Sequence, residues 1–179
     1  MNGAIPVRYQ ERVTSSPWLV VLVGATALLG IGVPLGVVLG GVASRGETAL
    51  EVLLLPSIII LLIALLISQF YALRIRIGGG MLVFGFGIFK KRFPVRSLRA
   101  FRPTTYRWQD YGGWGIRWGR DRSSAYNVMG DKGIAVRVTV DLGTKTRDWL
   151  FSSRQPDAVC RALEAELVAA GSAAEERSR

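Results

Sequence analysis

Two long apolar runs stand back to back at the front of this chain, and they limit its fold more than anything downstream. No charged residue occurs from Val13 to Ser44, and none from Val52 to Leu73. A helix needs about 20 predominantly apolar residues to cross a hydrocarbon core of roughly 30 Å, and both runs reach that length. Only the seven residues Arg45 to Glu51 separate them. The expectation is an α-helical transmembrane hairpin over residues 17–71, after a short N-terminal segment, 1–16. A cleaved signal peptide ending near Gly41 or Ala43 is the competing reading, but its apolar region is usually 7–15 residues long, and the first run is far longer.

Charge orients the hairpin. Of the 23 Lys and Arg, only Arg8, Arg12 and Arg45 precede Arg74. Of the 13 Asp and Glu, only Glu11, Glu47 and Glu51 do, which leaves 20 cations against 10 anions in the part behind the runs. Positively charged flanks stay in the cytoplasm. The charge pattern therefore predicts a multi-pass protein with both termini inside, the Arg45 loop outside and the soluble part in the cytoplasm. The lone Cys160 excludes an internal disulfide and suits a reducing compartment.

Within the runs, Gly32, Gly36 and Gly40 recur every fourth residue and form a smooth stripe for helix packing. The stripe suits either the second helix of the same hairpin or a helix of another membrane protein. Pro34 and Pro56 are expected to kink their helices. Neither run holds an ionisable residue, which argues against a pump or ion path, since charges mark such routes.

Behind the runs the period changes from helical to alternating. Leu73, Ile75 and Ile77 alternate with Arg74 and Arg76, as in a half-buried strand. Gly78-Gly79-Gly80 reads as a turn, 81–88 as the returning strand, and Lys90-Lys91-Arg92 as a basic turn. Further strands are expected over 93–101, 115–118, 126–129, 134–140 and 146–151. Strands this short, with turns this frequent, indicate an antiparallel sandwich or barrel of about seven strands. Pro156 and Asp157 open a helix with Val159, Leu163 and Leu167 on one face. That helix is expected to cap one end of the β structure as far as Ala170, with Cys160 a packed thiol beside the face. Residues 171–179 are small and charged, and are expected to be a disordered tail.

The segments Tyr111-Gly112-Gly113-Trp114-Gly115-Ile116-Arg117, Ala125-Tyr126-Asn127-Val128-Met129-Gly130 and Phe151-Ser152-Ser153-Arg154-Gln155-Pro156-Asp157 resemble bacterial membrane-anchored PH-like (pleckstrin-homology-like) proteins. The resemblance runs over about residues 1–170. It implies a PH-like barrel over 72–170 behind a two-helix anchor in the inner membrane, and it implies little about activity, because one fold hosts many functions.

Two constellations are candidate surfaces. Trp114 and Arg117 lie in a stretch where Tyr111, Trp118 and Tyr126 mix with glycines and arginines. The bland reading is a glycine-permitted bend with Trp114 packed inward and Arg117 in solvent. The functional reading is a surface for a peptide or membrane-protein partner. Such a partner is expected to add a strand near Gly85, Gly87 or Gly115, since glycine allows close backbone approach. Aromatic–arginine mixtures can also clamp single-stranded nucleic acid, but a bilayer-tethered domain gains little from that. The second constellation, Lys90, Lys91, Arg92 and Arg96, suits anionic lipid headgroups, or is a solvated charge run and nothing more. Catalysis, metal and cofactor find no support: the chain has no His, no G-x-S-x-G, no P-loop and no Cys or His pair. The expected role is a noncatalytic membrane-anchored binding or scaffolding module. The alternatives are an anionic-lipid sensor and an accessory subunit held through the glycine stripe.

Overall fold

Alternating apolar and basic residues make Ala72–Gly78 a strand, and the β structure is arranged around it. The computed structural model describes residues 7–39 and 48–176. The chain divides into two compact units, one from Ser16 to Tyr71 and the other made of the segments up to Ser15 and from Ala72 onward.

The first unit holds two helices, α1 (Pro17–Leu39) and α2 (Thr48–Ser68), followed by a 3-10 turn at Gln69–Tyr71. Stretches of 20 and 18 residues within it, Pro17–Gly36 and Leu54–Tyr71, are long and apolar enough to cross a membrane. Only 11% of each is buried. Two of their hydroxyls are satisfied within the helices: Thr26 Oγ1 donates to the Leu22 carbonyl at 2.8 Å and Ser68 Oγ to the Leu65 carbonyl at 2.6 Å.

The second unit is two sheets and a helix. β1 (Val7–Thr14), β2 (Ala72–Gly78), β3 (Met81–Phe86) and β4 (Phe89–Pro94) form an antiparallel meander in that order. β5 (Leu98–Thr105), β6 (Gly115–Trp118), β7 (Ser124–Asn127), β8 (Ile134–Asp141) and β9 (Thr146–Ser152) form the second sheet, ordered β5-β8-β9-β7-β6. Among the described residues the strands number nine rather than seven, no barrel closes, and β7 runs parallel to β9. The sheets meet through aromatic rings: Phe84 stacks on Phe151 at 4.5 Å and meets Tyr126 edge-on at 5.2 Å. The helix α3 (Pro156–Glu176) covers β2, β5 and β8, burying Val159 and Leu163 fully. Cys160 is buried beside them. The helix continues through Glu176, so 171–176 are not the coil expected from their composition.

The N-terminal segment is the main departure from expectation. Residues 7–14 are a strand of the first sheet, paired with β2 from Val7↔Gly78 to Thr14↔Ala72. Buried Glu166 on α3 ties it down, accepting from Arg8 Nε at 2.9 Å and from the Gly80 amide at 2.7 Å. Glu11 accepts from Ser153 Oγ and from the Arg154 amide, both at 2.6 Å, joining β1 to the β9–α3 junction.

Candidate functional site

Directly opposed residues of an antiparallel pair share a face, so the registers of the first sheet read out two rows across its outer side. One row runs Arg12, Arg74, Gly85, Lys90, and the next Gln10, Arg76, Val83, Arg92. Arg12, Arg74, Arg76, Lys90 and Arg92 are all exposed. The opposite face carries the buried Val13, Leu73, Ile75, Leu82, Phe84 and Phe93. The only carboxylate within these four strands, Glu11, is turned to the other side and held by Ser153 and Arg154. Five cations therefore share one sheet face with no acid from the same strands.

The centre of that face is recessed. At Gly85 φ is 153°, and a Cβ there would collide with the Phe89 carbonyl oxygen, so its place between Arg74 and Lys90 stays without a side chain. A groove of about 610 Å³ lies on the same face toward the Gly78 and Met81 end, floored by Met81 and Val83 and walled by Arg74 and Arg76 on one side and Lys90 and Arg92 on the other. Such a trough can take an anionic headgroup that carries some apolar substance.

The basic cluster expected from sequence is divided by the structure. Lys90–Arg92 is part of β4, not a turn. Lys90 and Arg92 lie on the outer face, whereas Lys91 takes the opposite side, with its Nζ 5.2 Å from the centre of the Trp149 ring. Arg96 is exposed on the 3-10 turn Val95–Ser97 beyond the strand. Arg12, Arg74 and Arg76 also belong to the face, beyond the expected cluster. Their period-two alternation with Val13, Leu73, Ile75 and Ile77 was the available signal.

The aromatic stretch maps to the far end of the second sheet. Trp114 is half-buried and stacks on Trp108 with ring centres 4.7 Å apart, rather than entering the space between the sheets. Arg117 is exposed on β6, its Nε donating to the Trp114 carbonyl at 3.0 Å. β6 is an edge strand, so Gly115 does lie at an edge, whereas Gly85 lies within β3, which is paired on both sides. Tyr111, Ala125, Ala135 and Leu150 form a second small core on the outer side of this sheet. Beside it Arg137 donates to Asp121 at 2.9 Å and to Asp148 at 3.3 Å. Burial raises the Asp121 pKa, but hydrogen bonds from Ser123 and Arg137 outweigh it and hold the carboxyl below its ordinary value.

In the helical unit the tight approach is at Gly30, where a Cβ would stand 3.1 Å from Ile60 Cγ2 and 3.3 Å from Leu61 Cγ. At Gly32 and Gly36 a Cβ would meet nothing within 4 Å among the described residues. Gly40 lies outside the described residues.

Compared with protein families, curated proteins and solved structures, the chain matches none of them.

Proposed function

We propose that this protein is a noncatalytic, membrane-anchored binding module whose first sheet lays its basic face on anionic lipid headgroups. One observation carries the reading: Arg12, Arg74, Arg76, Lys90 and Arg92 project from one sheet face, and all of them but Arg12 line an apolar-floored groove. Each basic residue near an anionic surface contributes about 1 kcal/mol, so the set amounts to roughly 5 kcal/mol at low salt. The chain supplies proximity as well. Arg74 follows Tyr71, the end of the second apolar stretch, by three residues, and Arg12 precedes Pro17, the start of the first, by five.

In this reading the anchor is a two-pass hairpin in a bacterial cytoplasmic membrane with both termini inside, following the Lys and Arg asymmetry. Two sheets ending in one helix also support a PH-like relationship, without the closed barrel. A protein-partner role is the second reading, favoured by the unpaired edge of β6.

The test is titration of the full-length protein in zwitterionic micelles with short-chain phosphatidylglycerol, followed by NMR. Saturable shifts centred on Met81, Val83 and Arg92, weakened by salt and by Arg76→Ser with Arg92→Ser, are expected. Equal shifts with short-chain phosphatidylcholine would remove headgroup charge from the account.

A further inference from the structure

The second sheet ends at β6, and no described strand pairs with its outer side. The Gly119 amide donates to the Ser123 carbonyl at 2.9 Å, closing the β6–β7 hairpin. In an antiparallel ladder, successive residues turn their main-chain groups alternately toward the partner strand and away from it. Counting back from Gly119, Arg117 and Gly115 turn theirs toward β7, and Ile116 and Trp118 present N–H and C=O outward.

Side chains sort just as regularly. Ile116 stands opposite Tyr126 and Trp118 opposite Ser124, so both lie on the side that faces the first sheet's aromatic rings. Trp118 is 75% exposed there. Arg117 stands opposite Ala125 on the other side, and Arg120 is exposed in the turn that follows. A strand added to this edge would meet an apolar side and a cationic side, residue by residue in alternation.

We infer that the β6 edge docks an extended segment of another protein in which apolar and acidic residues alternate, taken up as a sixth strand of the sheet. Main-chain bonds to Ile116 and Trp118 give affinity, and the two sides give selectivity. The acidic requirement comes from charge complementarity with Arg117 and Arg120. A second copy of this chain, with a net charge of +10, would instead bring arginines against arginines. An arginine on an edge strand also discourages unwanted pairing, but that does not account for the largest apolar side chain standing uncovered next to it. This inference is independent of the lipid reading, because it uses the other sheet.

The experiment uses the full-length protein in nanodiscs of zwitterionic lipid and three blocked octapeptides: alternating Val-Glu, alternating Val-Lys, and four Val followed by four Glu. Calorimetry reads affinity, and amide hydrogen exchange reads location. The alternating Val-Glu peptide is expected to bind saturably and to protect the Ile116 and Trp118 amides. Arg117→Glu should weaken it by about tenfold or more and turn preference toward Val-Lys. Trp118→Ala, which removes only an exposed side chain, should weaken both alternating peptides. Equal binding of the block peptide, or protection on β4 in place of β6, would overturn the proposal. So would protection that grows with protein concentration without peptide, which would make the edge a self-pairing surface. Because neither variant touches the first sheet, retained response to anionic lipid separates failure here from failure of the lipid reading.

Discussion

Arg8 and Glu166 stand 158 positions apart in the chain and are joined by a 2.9 Å hydrogen bond from Nε to Oε1. Glu166 is nearly buried and Arg8 about half exposed, and the second carboxylate oxygen takes the Gly80 amide at the β2–β3 turn. One side chain thus ties the first strand, the first hairpin and the last helix together. Glu166→Ala should lower stability by about 2 kcal/mol, mainly by leaving the Gly80 amide without an acceptor. Glu166→Gln, which keeps one carbonyl oxygen, should lose less. The same tie means that a fragment beginning at Ala72 lacks a strand. Residues 72–179 should melt well below a chain in which 1–15 are joined to 72–179 by a flexible linker. Thermal denaturation of the two followed by circular dichroism checks this, and equal melting would make β1 dispensable.

Among the described residues, Gly30 is a close contact between the two apolar helices. Gly30→Leu should push Ile60 and Leu61 away and destabilise the hairpin by about 1–3 kcal/mol, the usual range for overpacking. Gly36→Leu, where a Cβ meets nothing within 4 Å among the described residues, should cost less. Steric-trap unfolding in bicelles compares the two, and a larger loss at Gly36 would contradict the packing. A change of oligomeric state with Gly36→Leu at constant stability would place a second protein on that stripe.

Burial, reinforced by the nearby Glu164 and Asp157, pushes the Cys160 thiol from its ordinary 9.0 up to about 11. The folded state holds the proton more tightly than the unfolded state does. The stability this brings is complete below about pH 9 and is lost as pH rises toward 11. Iodoacetamide at pH 9 should therefore modify the native protein far more slowly than the denatured one. Equal rates would mean the thiol is open to solvent.

How much of this could be read from residue order follows from how local each signal is. The apolar runs, β2 and β8 carry their pattern within a few residues, and 115–118 appears as β6 with the expected bounds. β1 escaped notice because VRYQERVT has only Val13 fully buried, its other inward positions being Tyr9 and Glu11, whose polar ends bind one another and the β9–α3 junction. The basic run at 90–92 was visible as charge, yet a strand turns its middle member away from its neighbours, and this parity separates Lys91 from Lys90 and Arg92. Cross-strand company is the least local of all. Nothing near Arg12 or Arg74 in the chain announces that they face each other and line up with Lys90 across Gly85.

The basic face is most directly tested by attaching a probe to its floor. The one native cysteine is buried, so Val83→Cys in the full-length protein provides a single accessible thiol within the groove, and Leu142→Cys provides one on an exposed turn of the other sheet. Reaction with a hydrophilic maleimide is timed in nanodiscs containing anionic or only zwitterionic lipid. The account predicts that anionic lipid slows the reaction of Val83→Cys by about tenfold or more at low salt. It also predicts that high salt restores the rate and that Leu142→Cys is indifferent to lipid. Identical rates for Val83→Cys in both lipids, or equal slowing at the two positions, would contradict it.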